Sequence, residues 1–369
     1  MAVTAKNSRN LGIDLMRAMA MFFIICLHIM GQGGLIANAV PGSGKYYFLT
    51  VLQILTYGAL DAYGITTGYL MCTRPFRLSR VTKLWVITVF WSVVVSCIVF
   101  VFLPVTRSAA EAISMFLPIL RGRYWFFIAY FVTMLVSPVL NVVIRTLTRT
   151  QFKLLMAALA LIFGVFPVGA LGNEVMRISG GSHFSWMMVL YLIGGYIRRF
   201  GREDRSERYV LGYFLCSLVQ LVYVAAVRTV GLGGFSGLLT THVSPLVVGA
   251  AVCMFLYCRS VGEKIRAEGI AGRVIRFVTP GIYAVYVIHV HPKVFWRESI
   301  INLFRPWDNW NVIWVFLALV GTAAAVFAVC VLLDAARQWL FRAAGVDRAV
   351  DRLSDAAEQK IRKLLSEDK

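Results

Sequence analysis

Charge is what this chain has least of. Only 15% of its 369 residues are Asp, Glu, Lys or Arg, while 59% are hydrophobic, and the mean hydropathy is +0.74. Soluble domains carry about 25% charged residues, so a soluble globular fold is excluded. The seven cysteines (Cys26, Cys72, Cys97, Cys216, Cys253, Cys258 and Cys330) contain no CxxC pair and fall in or at the ends of apolar runs. That excludes a disulfide framework and a structural zinc site, and no metal is expected. No segment alternates polar and apolar residues over the length of an outer-membrane barrel strand. No internal repeat is visible, which weakens the case for a transporter built from two related halves.

What the chain has instead is a series of apolar runs long enough to cross a bilayer. Candidate spans lie near 11–30, 47–72, 84–103, 124–143, 154–171, 184–198, 209–230, 242–258, 277–294 and 312–333. The expectation is an all-α polytopic membrane protein with about ten transmembrane helices. Basic residues outnumber acids, 37 to 18, for a net charge of +19. They gather on one side: Lys6 and Arg9; Arg74, Arg77, Arg80 and Lys83; Arg145, Arg149 and Lys153; Arg198, Arg199, Arg202, Arg205 and Arg208; Arg259 to Arg276; and the tail. Excess Lys and Arg marks the cytoplasmic face, so both termini are expected inside a multi-pass cytoplasmic (inner) membrane protein. The positive charge then meets the lipid bilayer's anionic headgroups, and no nucleic acid is expected as a partner. Ala37-Asn38-Ala39 has the form of a signal cleavage site, but the first run is longer than a signal peptide's and contains Asp14, Arg17 and His28; it reads as a retained helix.

Outer connections are short, and within 104–123 the apolar stretch Ala109–Leu117 is expected as a short interfacial helix. Residues 1–345 form the membrane domain. Residues 346–369 form a charged amphipathic cytoplasmic tail, in which Val346, Val350, Leu353, Ala357, Ile361 and Leu364 recur at spacings of three and four. Its expected seat is the inner leaflet. A short coiled-coil contact is the alternative, and homo-oligomerisation is left open.

Arg17 and His28 carry the first chemical signal. On a helix at ~100° per residue, eleven steps return to within ~20° of the same face and climb roughly 16 Å, about half a bilayer core. Asp14 stands on the same stripe. An acid, a guanidinium and an imidazole inside one span are costly and normally functional.

In the second span Asp61 sits without a nearby cation, and Gly64 and Gly68 form a small-xxx-small pair suited to close helix contact. Its expected partner lies on another helix or in a polar cavity. Arg74, Arg77 and Arg80 follow at threes, a basic ridge matched to phosphate or to ordinary positive-inside charge. Tyr124 and Trp125 open the fourth span, as an interfacial belt would. Tyr286 and His289 share a face of the ninth. All five histidines (His28, His183, His242, His289, His291) fall in the outer half or rim of this topology, so they could converge on a site opening outward. His289 and His291 diverge, so no metal cluster is built from them.

These motifs resemble the membrane-bound acyltransferase 3 family, whose first helix carries an aspartate, an arginine and then a histidine: here Asp14, Arg17 and His28. The family's second-helix motif is matched by Gly58, Asp61, Thr67-Gly68-Tyr69-Leu70, Arg74 and Arg77. Tyr124-Trp125-Phe126 with Pro138 and Asn141, and Tyr286-x-x-His289, resemble the branch that acylates bacterial surface polysaccharides. Thr67 stands where serine is common, Ala62-Tyr63 replaces a bulkier run, and the glutamate some members carry after Trp125 is absent.

The resemblance implies O-acyl transfer, acetyl first, from cytoplasmic acyl-CoA as co-substrate to a glycan hydroxyl outside, with no bound cofactor. His28 would be the base or a transient acyl carrier. Arg17 would orient the site, with Asp14 fixing Arg17. Arg74, Arg77 and Arg80 would hold CoA phosphates beside Thr67 and Gly68. Asp61, Tyr124, Trp125, Tyr286 and His289 would serve the acceptor or the structure. The competing reading is a transporter or flippase with these charges lining its path.

Overall fold

A computed structural model describes residues 9–102, 108–119, 122–166, 179–201, 205–295, 307 and 310–367. Among these residues there are helices and no β-strand. Eight helical segments are long and apolar enough to cross a membrane: Leu11–Asn38, Gly44–Met71, Leu78–Phe102, Trp125–Thr146, Ser206–Thr229, Pro245–Lys264, Ile270–His289 and Val312–Ala343. All eight correspond to expected spans. Of the remaining two, 184–198 is a helix of 17 residues, Phe184–Phe200. The other, 154–171, starts as a helix at Arg149–Ala160, continues through a π-turn at Leu161–Val165, and passes outside the described residues after 166.

The first helix, α1 (Leu11–Met30), is the hub of the bundle. Met16, Ala20, Met21 and Ile25 on it are almost fully buried. It packs against α2 (Gly44–Tyr57), α3 (Ala59–Met71) and four helices later in the chain. Its start is fixed by Asn10, whose side chain accepts from the N–H groups of Gly12 and Ile13 and donates to the Arg259 carbonyl at 3.1 Å. One asparagine thus caps α1 and ties it to a helix 249 residues away.

The second expected span is two helices rather than one, α2 and α3, broken at Gly58. After α4 (Leu78–Phe102), the short helix Ala109–Phe116 lies where one was expected. Then come α5 (Trp125–Thr146), α6 (Arg149–Ala160), α7 (Phe184–Phe200), α8 (Ser206–Thr229) and α9 (Pro245–Val261). The ninth expected span also divides, into α10 (Ile270–Val278) and α11 (Ile282–His289), around a 3-10 turn at Thr279-Pro280-Gly281. Pro280 lacks an N–H and cannot continue a regular helix. The chain ends in α12 (Val312–Ala343) and α13 (Val346–Glu367).

Helices α3 and α7 are in direct backbone contact. A Cβ on Gly68 would come within 2.0 Å of the Tyr191 carbonyl, and one on Gly194 within 2.0 Å of the Ile65 carbonyl. Two glycines from opposite helices thus let the backbones touch, the usual solution in a membrane, where apolar surface is not driven from water. Peripheral helices show the reverse pattern: on α8, Leu211, Leu215, Leu218 and Val222 face outward, as lipid contact requires.

Candidate active site

At the end of the bundle holding the α1 N-terminus, a cavity of about 1330 Å³ opens between α1, α3, α7 and α9. Among the described residues, Arg9, Arg17, Arg74, Arg198 and Arg259 line it, with Asp14 and Glu263 as the acids. The Tyr69 ring organises two of these cations. Arg198 Nη1 donates to the Tyr69 hydroxyl at 3.0 Å, and the Arg198 and Arg259 guanidinium carbons lie 4.9 and 5.9 Å from the ring centroid. Guanidinium groups match phosphate and carboxylate oxygens in bidentate fashion, so such a cavity can hold an anion.

Arg17 forms part of the same lining and points on toward the membrane interior. Its Nη2 donates to the Tyr63 hydroxyl at 3.3 Å, and its guanidinium carbon is 5.5 Å from the Tyr63 ring. From Tyr63 a run of aromatic contacts leads onward: Tyr63 to Phe126 at 5.8 Å, Phe126 to Tyr286 at 5.0 Å, Tyr286 to His289 at 6.3 Å, and His289 to His28 at 5.2 Å between centroids. Tyr130 joins it, 6.1 Å from Tyr63 and 5.9 Å from Phe126. Helices α3, α5 and α11 therefore supply an aromatic wall between the two polar residues that α1 carries three turns apart.

At the far end, His28 Nδ1 lies 3.0 Å from His289 Nε2. His289 Nδ1 lies 2.6 Å from the Val285 carbonyl, which can only accept. His289 Nδ1 therefore carries the hydrogen, and in the neutral ring its Nε2 is an acceptor. His28 Nδ1–H donates to it, so His28 presents Nε2 as its acceptor nitrogen. This is the tautomer a general base requires.

The structure redistributes several expected roles. Asp14 pairs with Arg9, through Arg9 Nε, instead of fixing Arg17; Arg17's hydrogen-bond partner is Tyr63. The reason is positional: Arg9 approaches from the N-terminal side of the helix while Arg17 turns inward to the aromatic wall. Arg74 lines the cavity, but Arg77 and Arg80 do not. Arg80 Nη1 donates to the Pro75 carbonyl at 2.8 Å. Thr67 and Gly68 also lie off the cavity lining. The Thr67 hydroxyl donates to the Tyr63 carbonyl at 3.0 Å, and Gly68 serves the helix contact with α7.

Tyr286 joins the wall, its hydroxyl accepting the Phe126 N–H at 3.2 Å. Tyr124 is buried against Tyr286 and His291, with centroids 6.4 and 6.3 Å away. Trp125 is exposed and touches only the edge of Phe126 among the aromatic rings described.

Asp61 belongs to a separate polar cluster. Trp186 Nε1 donates to its Oδ1 at 3.1 Å, and His242 Nδ1 stands 3.8 Å from the same oxygen, its ring stacked on Tyr57 at 4.5 Å. His291 is held elsewhere, by Ser96 at 3.1 Å and Arg123 at 2.9 Å, and His183 caps α7. So of the five histidines only His28 and His289 meet. No group of three metal-ligating side chains occurs among the described residues.

Sequence reading missed Arg198, Arg259 and Tyr130, and gave Tyr63 and Phe126 no role. The two arginines end apolar runs on the basic face, where topology alone already explains a positive charge.

The fold is that of a helical membrane protein whose central helix carries an arginine of a cation-lined cavity and, three turns on, one member of an imidazole pair. The sequence places it further: the acyltransferase domain model of the acyltransferase 3 family matches residues 10–333, and the chain belongs to that family. It is a membrane acyltransferase. The chain has no significant match to a curated protein or to a solved structure.

Proposed function

We propose that this protein transfers an acyl group, acetyl in the first instance, from cytoplasmic acyl-CoA to a hydroxyl of a cell-surface or exported glycan. The observation that carries the reading is the contiguous series of side-chain contacts from Arg17, at the cavity lining, through Tyr63, Phe126 and Tyr286 to the His289–His28 pair. The donor's phosphates meet Arg74, Arg198 and Arg259, and its thioester end points toward Arg17. The acceptor hydroxyl approaches from the outer side, where His28 Nε2 takes its proton as the oxygen attacks the acyl carbon.

In that step a C–O bond forms and the C–S bond breaks. The proton leaves the hydroxyl for His28 and is finally delivered to the departing CoA thiolate. Arg17, roughly 16 Å along α1 from His28, lies too far from the attacked carbonyl to touch it; it would orient the donor and neutralise its negative charge. His289 holds the His28 ring and its tautomer, a positioning role. Capsular or secreted polysaccharide is the first choice of acceptor. The protein would act in the inner membrane of a bacterial cell envelope.

The test is transfer of label from acetyl-CoA to an envelope-glycan extract by purified protein in lipid discs. Formation of a hydroxylamine-labile glycan ester is expected. Failure to bind acyl-CoA, together with movement of an intact solute across proteoliposomes, would favour a transporter or flippase instead.

A further inference from the structure

Helix α11 is short, and His289 is its last residue. The 3-10 turn at Thr279-Pro280-Gly281 interrupts the α-helical ladder ahead of it, so α10 does not hold it in register. Its buried residues, Ile282 to Val287, pack by apolar contact, which is non-directional and resists separation better than sliding. Directional ties fix its place. The Tyr283 hydroxyl is hydrogen-bonded to Thr88 of α4, and the Tyr286 hydroxyl accepts the Phe126 N–H at 3.2 Å. Both ties lie before His289.

Beyond His289 the tie is His291, buried in the turn that follows α11. One guanidinium gathers three elements there. Arg123, at the entry to α5, donates through Nη1 to Ser114 Oγ of the short helix Ala109–Phe116 at 2.6 Å. Through Nη2 it donates to Ser96 Oγ of α4 at 2.9 Å, and the same Nη2 lies 2.9 Å from His291 Nε2. A guanidinium can only donate, so His291 Nε2 is the lone-pair nitrogen and the ring's hydrogen sits on Nδ1. The Tyr124 ring contacts both His291, at 6.3 Å, and Tyr286, at 6.4 Å. The cluster is therefore one ring removed from the aromatic wall that ends at His289.

We propose that Arg123 is a positioning residue for acyl transfer. By holding His291 against α4 and the short helix, it fixes the C-terminal end of α11, and with it the point from which His289 Nε2 accepts from His28 Nδ1. His289 cannot adjust alone, because its Nδ1 is bonded to the Val285 carbonyl one turn back and the ring moves with the helix. A displacement of about 1 Å spoils the alignment of a hydrogen bond and can cost about 10²-fold in rate. The effect on rate rests on His28 acting as the base; the placement of the pair does not.

The test uses the full-length protein in lipid discs. Its five histidines are few enough for nitrogen NMR of histidine-labelled protein, with signals assigned from His28→Gln, His289→Gln and His291→Gln. Wild-type His28, His289 and His291 are each expected to show one neutral tautomer, protonated on Nδ1. Arg123→Ala is expected to mix the His28 and His289 tautomers and to lower kcat about tenfold with KM for acyl-CoA unchanged. His291→Phe keeps a ring beside Tyr124, removes only the acceptor, and is expected to do the same. Arg123→Lys keeps a donor without the planar fork and is expected to recover part of both effects. In a His289→Ala background, Arg123→Ala is expected to lower kcat by no more than about twofold further, because it acts through the residue already lost. His28 and His289 signals left unchanged by Arg123→Ala and His291→Phe overturn the proposal, as does a tenfold loss that persists without His289. If the wild-type protein itself transfers no acyl group, the proposed reaction fails, and the spectra still decide whether Arg123 places the pair.

Discussion

His28 Nδ1 and His289 Nε2 stand 3.0 Å apart across 261 residues of chain. The Val285 carbonyl, 2.6 Å from His289 Nδ1, sets the direction of the whole relay. Reversing it would put two N–H groups, or two lone pairs, face to face. The consequence is asymmetric chemistry from two similar residues. His28→Ala is expected to lower acyl transfer by about 10²–10⁴-fold, the usual worth of a general base. His289→Ala is expected to cost less and His289→Gln least, because Gln can still accept from His28. Initial rates with labelled acetyl-CoA, alongside binding of the donor by the same variants, check this; binding is expected to be unchanged.

The Tyr69 clamp gives the second prediction. Arg198→Ala and Arg259→Ala each remove a cation from the cavity lining, and each is expected to raise KM for acyl-CoA about tenfold, as loss of one charge-assisted hydrogen bond does. The chemical step at saturation is expected to change little. Lys at either position restores charge without the planar stack on Tyr69 and recovers only part of the affinity. Steady-state kinetics with varied acyl-CoA separate the two outcomes: a fall in kcat with KM unchanged would take these arginines out of donor binding.

Gly68 gives a prediction about structure alone. A side chain there meets the Tyr191 backbone at 2.0 Å, so α3 and α7 must separate. Gly68→Val is expected to cost about 1–3 kcal/mol or more and to lower the thermal midpoint in detergent. Thr67→Ser, one turn position away and off the cavity lining, is expected to leave both stability and donor affinity near the wild-type values.

The tail contact responds to pH. The Lys83 ammonium, hydrogen-bonded at 2.8 Å, holds the Asp351 carboxyl below its ordinary value. A carboxylate lowered in the native state stabilises docking above its undocked pKa, and that stabilisation is lost as pH falls through the lowered native one. Cleavage of the linker near Gly345 by an added protease is therefore expected to be slow at neutral pH and faster as Asp351 protonates. Asp351→Asn is expected to show the fast rate at neutral pH and a flatter profile.

Much of this was readable in the residues, and the limits are physical. The α1 stripe was legible because helical periodicity places Arg17 and His28 on one face wherever the helix lies. Spans were legible from hydropathy, but the breaks at Gly58 and Pro280 were not, since apolar runs continue through them. Asp14 is expected on Arg17, three residues away, but pairs with Arg9, five away, and only the path of the chain before Asn10 decides between them. The spacing of Arg77 and Arg80 fits phosphate ligands or ordinary positive-inside charge, and only the family resemblance favours the first. The cavity excludes them, while Arg198 and Arg259, far apart in sequence, meet over Tyr69. Such meetings depend on which helices touch, and the α3–α7 and α1–α9 contacts that create them leave only isolated glycines and one asparagine as sequence traces.

The proposed reaction joins a cytoplasmic donor to an external hydroxyl past Arg17 and His28. It is tested most directly in sealed proteoliposomes with oriented protein, labelled acetyl-CoA on the arginine face and the glycan acceptor only in the opposite compartment. Ester label is expected on the enclosed glycan with the wild-type protein, and none above background with His28→Ala or with the donor placed on the glycan side. Label that forms equally with His28→Ala, or only when donor and glycan share a compartment, would contradict the account.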